Sequence, residues 1–236
     1  MSAAPDPSHH DSTHASAAAT GAAAPSRLAA ALQARIASGK PLDAGDVLRL
    51  AIVLHEAHRH EEAARWCRTG LRFGCEDWRL LNVLGVALKA LGRLDEAQAE
   101  LERGLRVAPS EAALLSNLGN VLLAQGKAER AGEVFSTLAG RNPGDAHARR
   151  MQGLAARRAG RMDEALAHAE AARALTPLDA SAWIDLAALF EETGRRAEAF
   201  AVIDRAIALI GPARPLVDTR IKLLRRDGRY EDAKAY

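Results

Sequence analysis

Six alanines fall at a constant step along this chain: Ala63, Ala97, Ala131, Ala165, Ala199 and Ala233, each 34 residues after the last. Gly92, Gly126, Gly160, Gly194 and Gly228 keep the same step, and so do Pro109, Pro143 and Pro177. A fixed period of this size means stacked supersecondary units rather than one irregular globule. Each unit buries its apolar face only against its neighbours, so the chain needs no single central core. Aromatic residues make up only 4% of it. Alanine and leucine must therefore fill most contacts, which suits closely packed helices.

The second unit shows the local logic. Leu81, Leu84, Gly85 and Leu88 recur at helical spacing and predict one buried stripe. Gly92 ends that helix, where a left-handed residue costs least. Asp95 opens the next helix, where its carboxylate suits the free N–H groups. Ala97 and Leu101 face back toward the first helix, and Pro109 closes the unit.

These residues resemble the tetratricopeptide repeat, whose pattern is W-x2-L-G-x2-Y, then A-x3-F, then P. Leu84-Gly85, Leu118-Gly119 and Gln152-Gly153 occupy the Leu-Gly site, Trp183 the tryptophan site and Phe190 the tyrosine site, while Phe135 and Ile203 fill the phenylalanine site. The resemblance covers residues 44–236 and implies an all-α fold: a right-handed superhelix, an α-solenoid of antiparallel helix pairs. Five complete repeats and a truncated sixth are expected there. Residues 26–43 are expected to form a capping helix and linker, with Ser26 as N-cap and Leu28, Leu32 and Ile36 on one face. Residues 1–25 are small, polar and punctuated by Pro and Gly, and are expected to be a disordered tail.

Three departures from the pattern carry expectations. In the first repeat His58 replaces the turn glycine and Cys75 the proline. In the fifth repeat Gly211 takes the proline site. In the fourth repeat the large sites hold Arg149, Gln152, Ala156 and Ala169, so this unit is expected to pack least well and to act as a local hinge. The sixth repeat stops one turn into its second helix. Either the natural polypeptide continues past Tyr236 or a partner covers that end, and self-association through it is a further option.

Lys plus Arg number 32 against 30 Asp plus Glu, a net charge of +2. That balance gives no global attraction to nucleic acid or to an anionic membrane, so electrostatic recognition must be local. The two cysteines, Cys67 and Cys75, read as reduced structural thiols. No apolar run reaches the roughly 18 residues needed to span a bilayer, and the N-terminus lacks a signal-peptide pattern; a cytoplasmic protein is expected. There is no phosphate-binding glycine loop, no Cys-x-x-Cys pair and no His-Glu-x-x-His. Asp95-Glu96 and Asp163-Glu164 recur with the turn and read as helix N-terminal charges rather than an acid/base pair. His55, His58 and His60 invite a metal reading, but the repeat accounts for the position of His60 fully and of His58 in part. No cofactor, metal or catalytic activity is expected from these residues.

In tetratricopeptide repeat proteins the first helix of each repeat lines a concave groove that binds a partner. The resemblance places Leu48, Ile52 and His55 there, then Asn82, Val86 and Lys89, then Asn117, Asn120 and Leu123. It adds Arg150, Leu154, Arg157 and Arg158 from the fourth repeat, and Lys222, Arg225 and Arg226 from the last. His147, Glu191 and Glu192 share this face. Ser116-Asn117-Leu118-Gly119-Asn120-Val121 also resembles repeats of O-linked N-acetylglucosamine transferases, in which groove asparagines grip a peptide backbone; no asparagine ladder extends it here. The expectation is a non-catalytic scaffold that holds a protein or peptide segment, acidic if the arginines set specificity. The charges could equally pair across adjacent repeats. The alternative is the substrate-recruiting N-terminal region of a larger modifying enzyme, because bacterial chains of this alanine- and arginine-rich type often join such repeats to a glycosyltransferase or another modifying domain.

Overall fold

A computed structural model describes residues 13–235, with side chains from Pro25 onward. The first twelve residues of the expected disordered tail and Tyr236 lie outside the described residues. The described residues hold thirteen helices and no strand. They divide into two compact units, one ending at Pro109 and one beginning at Ser110.

In the first unit, α1 (Thr13–Ala37) begins well before the expected start at Arg27. Ser26 is therefore inside a helix, not its N-cap, and residues 13–25 are helical rather than unstructured. This stretch buries little apolar surface, but seven of residues 15–24 are alanine, the strongest helix former. The predicted face of α1 does form: Leu32 is buried, with Leu28 and Ile36 half-buried. Gly39, at φ +66°, follows its end. Arg35 then donates from Nε and Nη2 to the carbonyl of Pro41 at 3.0 and 2.7 Å, fixing the linker to α2.

Twelve helices follow as antiparallel pairs. In the first unit these are α2 (Ala44–Glu56) with α3 (His60–Arg72), and α4 (Trp78–Ala90) with α5 (Leu94–Val107). In the second they are α6 (Ala112–Ala124) with α7 (Ala128–Arg141), α8 (Ala146–Arg158) with α9 (Met162–Leu175), α10 (Ala180–Glu192) with α11 (Arg196–Ile210), and α12 (Arg214–Arg226) with α13 (Tyr230–Lys234). Local chemistry sets these boundaries. Asp43, Asp77, Asp145 and Asp179 N-cap first helices, each accepting from a backbone N–H two or three residues on. Gly92, Gly126, Gly160, Gly194 and Gly228 end first helices at φ between 74° and 78°. His58 takes the same left-handed place at φ +58°, so the turn geometry is kept without glycine.

Second helices begin differently from the expectation. The residue ahead of α5 is Arg93, and it offers no side-chain cap to the backbone. Instead its guanidinium grips Glu96 in the first turn with two bonds of 2.7 Å. Arg59 holds Glu62 in the same way at 2.6 and 2.8 Å, and Arg195 holds Glu198. Asp95 sits within the first turn, where it favours the positive helix end.

The pairs close on one small residue of each first helix. A Cβ on Gly85 would lie 2.5 Å from Cγ of Leu101, and one on Gly119 would collide with the Phe135 ring. In the fourth repeat the helix backbones themselves approach: a Cβ on Gly153 would meet the Ala165 carbonyl oxygen and the His168 Cβ, both at 3.4 Å. Gln152, the buried polar residue of this pair, accepts from Arg149 Nη1 at 3.2 Å. The next pair is anchored by Trp183, which is buried, donates Nε1–H to the Pro177 carbonyl at 2.8 Å and lies under the Arg173 guanidinium at 4.7 Å.

A candidate groove on the first helices of the second unit

The fourth repeat's small side chains leave space. Between α8 and α10, with α9 as its floor, lies a cavity of about 210 Å³. Met151, Leu154, Ala169, Ala182 and Leu189 give it apolar walls, and Gly153 lets the floor come close. His147, Arg150, Arg157 and Asp185 form its polar rim. Apolar walls with a few convergent polar groups are the usual make-up of a binding pocket, and this volume suits one large side chain.

The rim charges are paired between successive first helices. Arg150 bonds Asp185 at 2.7 Å, and Arg157 bonds Glu192. Further along, Arg226 bonds Glu191, which holds the guanidinium's proton more firmly than usual. Each of these pairs spans 35 residues, one more than the repeat. The groove arginines thus meet carboxylates of the neighbouring repeat, and the rim is close to neutral.

Of the expected groove residues, Arg150, Leu154 and Arg157 come together at this cavity. Arg158 is exposed beside them but does not line it. Lys222 and Arg225 are exposed on α12, next to the paired Arg226. Asn117, Asn120 and Leu123 are half-buried on α6. Ile52, His55, Asn82, Val86 and Lys89 belong to α2 and α4 of the first unit. Leu48 is buried, so it contributes to packing and not to an open floor. The reading from the residues missed Met151, Gly153, Ala169, Ala182 and Leu189, because apolar positions on three helices do not announce that they meet. The available signal was the run of small residues in the fourth repeat.

The histidines of the first repeat form a ring contact. His55 Nδ1 and His60 Nδ1 are 3.0 Å apart, so one ring donates and the other accepts. Burial, and then the neighbouring His60 and His58, lower the pKa of His55. Among the described residues no group of three or more His, Cys, Asp or Glu side chains is placed to hold a metal ion. No helix among them is long and apolar enough to cross a membrane.

Comparison with known proteins agrees with this architecture. No curated protein matches the chain. Among solved structures it is similar to a tetratricopeptide repeat protein from Parabacteroides merdae ATCC 43184, at 18% identity over 81% of this chain and 76% of that one, with a TM-score of 0.68. It is similar to MamA 41-end from Desulfovibrio magneticus RS-1, at 20% identity over 74% and 99%, TM-score 0.66. It is also similar to YrrB, a TPR protein with an unusual peptide-binding site, at 22% identity over 79% and 92%, TM-score 0.61. At these identities the likeness speaks for the fold alone. The tetratricopeptide repeat family model matches residues 82–146 and 150–215, more than half of the sequence. The chain belongs to the tetratricopeptide repeat family.

Proposed function

We infer that the chain is a non-catalytic scaffold that binds a segment of a protein partner on the first-helix face of its second unit. The observation that carries this reading is the cavity between α8 and α10, apolar inside and polar at the rim. A partner segment would place one apolar side chain against Met151, Leu154 and Leu189. Its backbone would lie along a rim that donates from guanidiniums and accepts at Asp185. Exposed Arg158, together with Lys222 and Arg225 further along, supplies the basic character that favours acidic residues beside the anchor. The peptide-binding site named for YrrB supports the reading by analogy of fold.

The test is selection of peptides from a random library against the full chain, followed by titration of the best binder into Leu154→Gln. Leu154 is only half-buried, so this change removes an apolar wall with little effect on the fold. A loss of about tenfold is expected, in line with one buried apolar anchor. Unchanged affinity rejects the site.

A further inference from the structure

The first unit carries a charged cleft that the groove does not use. It lies between α3 and α5, has a volume of about 550 Å³ and is lined by Arg65, Arg68, Thr69, Leu71, Arg72, Glu100 and Arg103. Four guanidiniums thus face one carboxylate, in a chain whose total charge is only +2. Arg65, Arg68 and Arg72 follow an i, i+3, i+7 pattern, which sets them on one side of α3 over about 10 Å.

The carboxylates near this cleft are largely committed elsewhere. Glu62 stands 3.8 Å from Arg65 but is held by both arms of Arg59. Glu96 accepts from Arg68 at 2.8 Å while both its oxygens are gripped by Arg93. Glu100 is 3.6 Å from Arg103, beyond hydrogen-bond length, and its buried Oε2 has no hydrogen-bond partner. Arg72 is exposed. The cleft therefore keeps unused guanidinium donors, whose planar forks match carboxylates.

We propose that the cleft between α3 and α5 is a second binding site, which takes an acidic peptide segment of a protein partner. An extended chain advances about 3.3 Å per residue. Side chains on one face of such a chain stand two or four residues apart, about 7 or 13 Å, which brackets the roughly 10 Å from Arg65 to Arg72, with Arg68 and Arg103 between and opposite them. A nucleic-acid strand fits less well. The lining has no aromatic ring on which bases stack.

The test uses the full chain and a fluorescent oligoglutamate peptide, followed by anisotropy at low and high salt. Saturable binding is expected, weakening as salt rises. Arg65→Glu with Arg72→Glu should weaken it by about tenfold or more, and Arg65→Gln with Arg72→Gln by less, with circular dichroism unchanged in both. The distant reversal Arg205→Glu with Arg214→Glu changes total charge equally and should have little effect. Leu154→Gln should leave oligoglutamate binding intact, so this site and the groove stand or fall separately. Absence of saturable binding, an equal loss from the distant reversal, or tighter binding of an oligothymidylate would each overturn the proposal.

Discussion

Arg157 donates to Glu192, one repeat and one residue further along the chain. Arg150 with Asp185 and Glu191 with Arg226 keep the same offset. The offset means that facing side chains on consecutive first helices are not the equivalent positions of the repeat. Both members of the Arg157–Glu192 pair are more than a third exposed. A double-mutant cycle with Arg157→Ala and Glu192→Ala should give a coupling of about 0.2–1 kcal/mol, shrinking in molar salt. Zero coupling at low salt would remove the ladder from the energetics of the groove.

The glycines divide into two kinds that one substitution separates. Nothing lies within 4 Å of a Cβ built on Gly126, but its φ is +77°. Gly126→Ala should cost about 1–2 kcal/mol, all of it from the left-handed backbone. Gly119 has helical backbone, but a Cβ there meets the Phe135 ring. Gly119→Ala should cost about 1–3 kcal/mol through overpacking, and Phe135→Leu should recover part of that loss. Urea unfolding of the three variants and the double variant measures both effects. Conversely His58→Gly, which removes the Cβ from a residue at positive φ, should raise stability.

Acid should loosen the second-helix clamps. The guanidiniums of Arg59, Arg93 and Arg195 hold the carboxyls of Glu62, Glu96 and Glu198 below the usual glutamate range. In the unfolded chain these groups titrate near pH 4.3. Their contribution to stability is thus full above that value and disappears as pH falls through the lower folded values. Urea midpoints should fall between about pH 5 and pH 3, and fall less in Arg59→Gln/Arg93→Gln/Arg195→Gln. An identical fall in that variant would contradict the clamps.

The two thiols should be inert in the folded chain. Both are buried and unpaired, and burial pushes Cys67 up to about 12 and Cys75 above its ordinary value. A disulfide reagent at neutral pH should react with neither thiol until denaturant is added, because the thiolate is the reactive form. Rapid reaction in native buffer would show that the first repeat opens.

Much of the fold is legible in the residues. First helices start at residues 44, 78, 112, 146, 180 and 214, keeping the alanine period without drift. The turn role of His58 could be read from its place in the period. The length of α1 could not, because the absence of large apolar residues concealed the helix propensity of its alanines. The cavity was half legible. Ala169 and Gln152 mark a repeat whose packing sites lack large apolar side chains, yet only the packed helices show that the space opens toward Leu154 and Leu189. The charge ladder depends on the 35-residue offset, which a 34-residue reading cannot supply.

The hinge expected in the fourth repeat becomes a question of rate. With a cavity beside it and Gln152 inside it, amides in α8 and α9 should exchange faster than those in α10 and α11. Slower exchange across residues 146–175 than in the next pair would mean that the close approach at Gly153 rigidifies the repeat.

The most direct measurement of the scaffold reading is the amide spectrum of the full chain titrated with its best library-selected peptide. Shifts should concentrate at His147, Arg150, Leu154, Arg157, Asp185 and Leu189, and should be lost in Leu154→Gln. Binding whose shifts fall on the second helices α9 and α11, and which survives Leu154→Gln, would contradict it.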